Sequence, residues 1–316
     1  MHERTSRDST PSHALANGDN LLLGHSAAMR TLRERIQRAA GFPWPIRLEG
    51  PRGSGKNRAA ELFHAASGRA GAIVRCGLNK VSAIEGSEIG QLVGWVRGAF
   101  TGALYDYRGA FERAHRGTLF LNEVHLASTR VQEILLDLLD GKRFQRLGQQ
   151  VDTEVDVRIV FATNEDLSAL AHAGRFRWDL LDRMEDDVIQ MPALSEHIED
   201  IPEIAAAIMV KLAQEANVEA DILSPLEIDR LMGFGWPGNV RQLENALKWR
   251  IKYRKMPDYL PRTRRWTLGS NDALQRALTE AHGNKSAAAR ALGTSRKTLY
   301  AHLKRQQREL LNDSTT

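Results

Sequence analysis

A single cysteine, Cys76, is all that 316 residues contain, so no disulfide framework can form within the chain and no multi-cysteine zinc site is available. This suits a reducing compartment, and the cytoplasm is the expected location. Long apolar runs are missing too. No stretch reaches about 18 apolar residues, so no membrane-spanning helix and no membrane partner are expected. The first twenty residues carry no apolar run of signal-peptide length; they are polar and read as a disordered tail. No internal repeat is present. What is present is an ordinary apolar content of 42%, enough to bury a core, in a chain long enough for one large domain and one small one.

The net charge of +5 conceals an uneven distribution. Residues 251–316 hold 14 Lys and Arg against 5 Asp and Glu, while residues 1–250 hold 30 against 34. A basic end on an otherwise slightly acidic chain suggests that the C-terminal part meets a polyanion. From Leu21 onward, short apolar runs alternate with helical patterns. Ile46-Arg47-Leu48, Ala72-Ile73-Val74, Thr118–Leu121 and Val157–Phe161 are strand candidates, with helices such as Asn57–Ala66 and Ser128–Leu139 between them. This alternation predicts an α/β fold with a parallel sheet covered on both faces. After residue 199 the strand signals stop. Ile201, Ile204, Ala207, Ile208 and Leu212 recur at helical spacing and predict a helical subdomain. Two prolines and a basic run then mark a linker. The division expected is a tail at 1–20, an α/β part at 21–192, a helical part at 193–254, a linker at 255–268 and a small all-helical domain at 269–310.

Gly50-Pro-Arg-Gly53-Ser54-Gly55-Lys56 fits GxxxxGK between a strand and a helix. Glycines there let backbone N–H groups wrap phosphates, the helix N-terminus adds its positive end, and Lys56 reaches the outer phosphates. The usual next residue is Ser or Thr for Mg²⁺; here it is Asn57. Gly117–Glu123 (GTLFLNE) has the form of a second nucleotide element, an apolar strand ending in polar residues. Glu123 can orient or deprotonate a water, whereas Asn122 is an amide at the position where a metal-binding carboxylate is wanted, so the pair Asn122 and Glu123 makes a weak Mg²⁺ site. Transition-state charge also needs cations, and Gly174–Arg183 offers three arginines.

At the basic end, Asn284–Lys304 has a small-residue helix, a turn at Gly293 and a second helix, the helix-turn-helix outline. Ala288, Leu292, Leu299 and Leu303 are expected to pack inward, and Ser295 is the expected N-cap of the second helix. Arg296 and Lys297 are candidates for base edges or phosphates of double-stranded DNA. Tyr300 and Lys304 lie on the same helix, and Lys304, Arg305 and Lys285 are expected on phosphates.

Gly98-Ala99-Phe100-Thr101-Gly102-Ala103 is a GAFTGA hexapeptide, and it resembles the signature loop of the sigma-54-dependent activators, or bacterial enhancer-binding proteins. In the same order along the chain, GTLFLNE resembles that family's GTLFLDE and VRIVFATNED (157–166) its sensor I strand. Gly174–Arg183 resembles GRFRxDLxxR, and WPGNVRQLEN (236–245) resembles its sensor II segment. The C-terminal segment resembles the Fis-type helix-turn-helix, whose modules act as dimers. The resemblance implies an AAA+ core with a helical lid. It implies ATP and Mg²⁺ as cofactors and a ring hexamer that remodels sigma-54 RNA polymerase from an upstream DNA site. It places Phe100 and Thr101 at the tip of a mobile loop touching sigma-54 and Lys56 on phosphate. Glu123 activates water, Asn164 senses the γ-phosphate, Arg177 and Arg183 serve as arginine fingers, and Arg241 is the sensor II arginine. Asn57, Arg75, Ala110, Asn122, Ser195 and His197 depart from the family pattern; Arg75 replaces an asparagine that controls the catalytic glutamate. These departures admit a homo-hexamer or a mixed ring with a related, more active subunit. The alternative from another class is a DNA-binding regulator that uses nucleotide for oligomerisation without catalysis. Only about twenty residues precede the AAA+ segment, so control is expected from abundance, from a regulatory protein in trans or from a second subunit.

Overall fold

The computed structural model describes residues 22–78, 87–141, 143–185 and 187–260. The expected tail, most of the linker and the helix-turn-helix, with Lys285, Ser295, Arg296, Lys297, Tyr300 and Lys304, lie outside them. In chain order the elements are α1 (Ala27–Ala40), β1 (Ile46–Glu49), α2 (Lys56–Ala66), β2 (Ile73–Gly77), α3 (Ser87–Val93), β3 (Gly94–Trp95) and β4 (Tyr107–Arg108). There follow α4 (Ala110–Arg113), β5 (Thr118–Asn122), α5 (Thr129–Gly141), β6 (Arg143–Phe144), β7 (Thr153–Glu154) and β8 (Arg158–Thr163). The last are α6 (Leu167–His172), α7 (Trp178–Asp182), β9 (Val188–Gln190), α8 (Ile201–Ala216), α9 (Pro225–Met232) and α10 (Asn239–Tyr253).

Five parallel strands form the main sheet in the order β2-β5-β8-β1-β9. Their side chains alternate between two apolar layers, as strand geometry requires. Leu119, Leu121, Ile159 and Phe161 join one layer with α5, α6 and α7. Phe120, Val160, Ala162 and Ile189 join the other with α1 and α2. Burial on both faces explains why β8 reads as an unbroken apolar run after Arg158, and every residue of β8 is buried. The second strand lies one residue later than Ala72-Ile73-Val74, and it extends to Gly77.

The described chain forms two compact units. One comprises residues 22–204 with Trp236–Glu244; the other comprises Ala205–Gly235 with residues 245–260. The divisions fall within α8 and α10. In the second unit, Ser224 and Glu227 form a capping box at the start of α9, and Glu227 accepts from Arg250 Nε at 2.6 Å. Asp221 pairs with Arg250 at 2.9 Å. The buried stripe of α8 overlaps the apolar positions at helical spacing. It is Ile201, Ile204, Ala205, Met209, Leu212 and Ala213, with Ala207 exposed and Ile208 half-buried. The small side chains of Ala205 and Ala213 are buried, whereas the longer Val210 is half exposed. Among the described residues no helix is long and apolar enough to cross a membrane.

Candidate functional site

Parallel sheets place their ligand crevices beyond the carboxyl ends of the strands. Here Glu49, Asn122 and Thr163 stand side by side at that edge, since Glu49 pairs with Thr163 and Asn122 with Ala162. The loop from Gly50 to Gly55 leaves β1 and enters α2. Gly53 and Gly55 have φ of +77° and +98°, a region L-residues avoid, and a Cβ on Gly53 would lie 2.4 Å from the Gly238 carbonyl oxygen. Gly53 therefore serves close approach as well as backbone shape, and Gly55 backbone shape alone.

A cleft of about 190 Å³ gathers Arg52, Gly53, Gly55, Lys56, Asn57, Asn122, Glu123, Asn164 and Arg241, among other residues. Sequence motifs spread over nearly 200 residues thus meet in one place. Gly50 and Ser54 belong to the same loop. Lys56 is buried, and its Nζ donates to the carbonyls of Gly50 at 2.7 Å and Pro51 at 3.0 Å. Burial pulls its pKa down to about 8; Glu123 opposes that shift, and the nearby Arg241 and Arg52 add to it. Glu123 sits at the turn after β5 in the left-handed region, φ +58°. Asn164 follows β8. Its amide donates to Glu165 at 3.2 Å, and its oxygen lies 3.5 Å from Arg52 Nε.

Arg75 does not reach toward Glu123. It pairs with Glu61 of α2, which also binds Arg58 at 2.9 Å. Arg177 and Arg183 lie outside the cleft. Arg177 bonds Asp179 at 2.7 Å and approaches Glu133 at 3.6 Å, and Arg183 pairs with Asp140. Among the described residues, His, Cys, Asp and Glu form no group of three or more able to hold a metal ion. Cys76 is buried, and burial raises its thiol pKa.

The GAFTGA loop runs between β3 and β4. Gly98 N–H donates to the Ala103 carbonyl at 2.8 Å, and Ala103 N–H to that of Phe100 at 3.0 Å, closing a tight turn. Gly98 and Gly102 have φ of +83° and +102° with open space around an added Cβ, so their need is conformational. Phe100 meets the edge of Trp95 at 5.5 Å, and Trp95 stacks on Tyr107 at 4.2 Å. Phe100, Leu104 and Tyr105 are exposed. Val96 N–H donates to the Leu147 carbonyl, and Leu147 N–H to that of Gly94. This joins the loop to the β6–β7 hairpin.

Three positioning residues escaped the sequence reading. Asn239, the buried first residue of α10, accepts from Leu194 N–H at 2.8 Å and donates to the Arg52 carbonyl at 2.9 Å. Val240 N–H donates to Gly53 O at 3.1 Å, so this turn clamps the phosphate loop and carries Arg241 to it. His125, buried beyond Glu123, lies 3.2 Å from Thr163 Oγ next to Asn164. Asp200 accepts from His25 N–H at 2.7 Å and Ser26 N–H at 2.9 Å, and pairs with His197 at 3.1 Å. A buried histidine thus partners this carboxylate. Asn239 stands inside the WPGNVR motif, which is the one signal that could have found it.

A phosphate loop on a parallel sheet in the order 2-5-8-1-9, a polar strand end beside it and an arginine delivered by a following helix define a P-loop ATPase of the AAA+ class. The family described as Sigma-54 interaction domain matches residues 22–190, the AAA+ ATPase lid domain residues 195–256, and the Fis family of bacterial regulatory proteins residues 271–305. The chain belongs to the sigma-54-dependent transcriptional regulators, AAA+ ATPases with a Fis-type DNA-binding segment. It is 34% identical to the transcriptional regulatory protein ZraR of Escherichia coli over 306 residues, 90% of this chain and 68% of that one. It is 39% identical to the response regulator protein PilR of Pseudomonas aeruginosa over 233 residues, 73% of this chain and 52% of PilR. The crystal structure of NtrX from Brucella abortus in complex with ATP superposes with a TM-score of 0.68 at 30% identity. It covers 90% of this chain and 69% of NtrX.

Proposed function

We propose that the chain acts as an ATP-driven ring that opens sigma-54 promoters, and that Lys56, Glu123, Asn164 and Arg241 form its own half of a shared nucleotide site. The observation that carries this reading is their convergence on one cleft with the phosphate loop. The residues suit ATP: the glycines give the loop its left-handed turns and its close packing on Gly238, and Lys56, Arg52 and Arg241 supply positive charge. Lys56 holds phosphate, Glu123 orients the attacking water, Asn164 reports the terminal phosphate, and Asn57 and Asn122 line the pocket. Mg²⁺ travels with the nucleotide, with Glu123 and the Asn122 carbonyl as its weak protein partners. Arg177 and Arg183, outside the chain's own cleft, serve a neighbouring subunit's site once they leave Asp179, Glu133 and Asp140. Gly98–Ala103 is the sigma-54 contact, with Phe100 at its centre. Lys285, Ser295, Arg296, Lys297, Tyr300 and Lys304 hold double-stranded DNA. The fivefold division of the chain proposed from sequence is kept.

The test is ATP hydrolysis by the purified chain over a range of protein concentrations, with Lys56→Ala as the blank. Turnover that rises cooperatively with concentration and vanishes in Lys56→Ala supports a self-sufficient ring. ATP binding without turnover supports either a mixed ring, in which this chain lends its arginines to a more active subunit, or a regulator that uses nucleotide only to assemble. The pairing of Arg75 with Glu61, and the amides Asn57 and Asn122, favour these second readings. They separate at Phe100→Ala, which removes activation from a ring of either kind and leaves a non-catalytic regulator unaffected.

A further inference from the structure

We infer that this chain binds ATP as the metal-free anion about as tightly as it binds the magnesium complex, an inference that rests on the nucleotide site proposed above. Mg²⁺ prefers hard oxygen ligands in an octahedral arrangement. In P-loop proteins the protein's share comes from a hydroxyl directly after the lysine and a carboxylate at the end of a neighbouring strand. Both positions are amides here. Asn57 is the second residue of α2, Asn122 is the last of β5, and both line the cleft with Lys56. The carboxylate left at that strand end, Glu123, stands one residue later on a left-handed turn, and its charge acts on Lys56 and His125. The protein therefore gains little from the metal itself.

Charge points the same way. The cleft is lined by Arg52, Lys56, Arg58 and Arg241 against Glu123 and Glu244. Arg58 is engaged by Glu61, which leaves Arg52, Lys56 and Arg241 as the cations for phosphate. Where a strand-end aspartate is present, it repels the phosphates and the metal offsets that repulsion. Asn122 has no charge to offset, and the surrounding cations favour the more highly charged free nucleotide.

Calorimetric titration of the full chain with unmodified ATP, in excess Mg²⁺ and in EDTA at equal ionic strength, tests this. The two dissociation constants are expected to agree within about threefold. Weakening by tenfold or more in EDTA overturns the inference. Asn122→Asp is expected to split the two conditions, binding more weakly in EDTA and recovering in Mg²⁺; identical behaviour in both overturns the role given to Asn122. Wild-type binding in neither condition, or binding that survives Lys56→Ala unchanged, overturns the nucleotide site itself and the inference with it.

Discussion

Raising the pH should loosen this chain's hold on nucleotide in a window set by Lys56. Burial, with Arg241 and Arg52 nearby, brings its pKa from 10.5 to about 8. At pH 7 roughly nine-tenths of the chains carry a charged Lys56, and at pH 9 roughly one-tenth do. A bound polyphosphate favours the ammonium form and lifts the pKa again, so binding near pH 8 takes up a fraction of a proton. Apparent ATP affinity should then fall about tenfold from pH 7 to pH 9. The terminal phosphate of the nucleotide ionises mostly below this window, with a second pKa near about 6, so it does not mimic the effect. Titration calorimetry at each pH, repeated near pH 8 in two buffers of different ionisation enthalpy, measures both the affinity and the proton. Lys56→Arg keeps its charge throughout and should show a flat profile. A flat wild-type profile, or an equal fall in Lys56→Arg, refutes the reasoning. Folding has the opposite sign. The unfolded chain binds the extra proton between about 8 and 10.5, so this group's penalty on stability shrinks as pH rises through that range.

Further outcomes follow from named contacts. Asn239→Ala leaves the Leu194 N–H and the Arg52 carbonyl without their partner and puts alanine at φ +51°; denaturant unfolding should show a loss of about 2 to 4 kcal/mol, with weaker ATP binding, and a loss below half of the lower figure would count against the clamp. Phe100→Ala, at an exposed loop tip, should cost under about 1 kcal/mol while abolishing sigma-54-dependent transcription in vitro. Tyr105→Ala, on the apolar surface beside it, should reduce that transcription without abolishing it. Arg177→Ala should spare ATP binding and lower turnover when mixed into a wild-type ring; a binding defect instead would place Arg177 in its own chain's site. Burial opposes ionisation of Asp200, yet hydrogen bonds from Ser26 and His25, with His197 beside it, hold its pKa below the ordinary value. Its contribution is present above the usual aspartate range and lost as pH falls through its lowered pKa, so His197→Ala should move acid unfolding to higher pH.

Much of this protein was legible one residue at a time. The glycine loop, the apolar runs of β5 and β8 and the GAFTGA hexapeptide each carry their requirement locally: φ above zero at Gly53, Gly98 and Gly102, or burial on both sheet faces. Chain order and spacing gave the parallel α/β core and the phosphate loop, while the family resemblance supplied the AAA+ class, Asn164 and Arg241. Which residues of α8 are buried was not legible, because small residues are buried wherever neighbours leave room, and hydropathy does not record the neighbours.

The sequence by itself determined the parallel α/β core and the phosphate loop with Lys56, Asn57, Asn122 and Glu123, because those follow from backbone sterics, side-chain period and chemical type. Tertiary structure alone decided who touches whom. It brought Asn239 to the Arg52 carbonyl across 187 positions, gave Arg75 to Glu61 in place of Glu123, and desolvated Lys56. Such pairings depend on packing distance and local dielectric, and both arise only when distant segments close on one another.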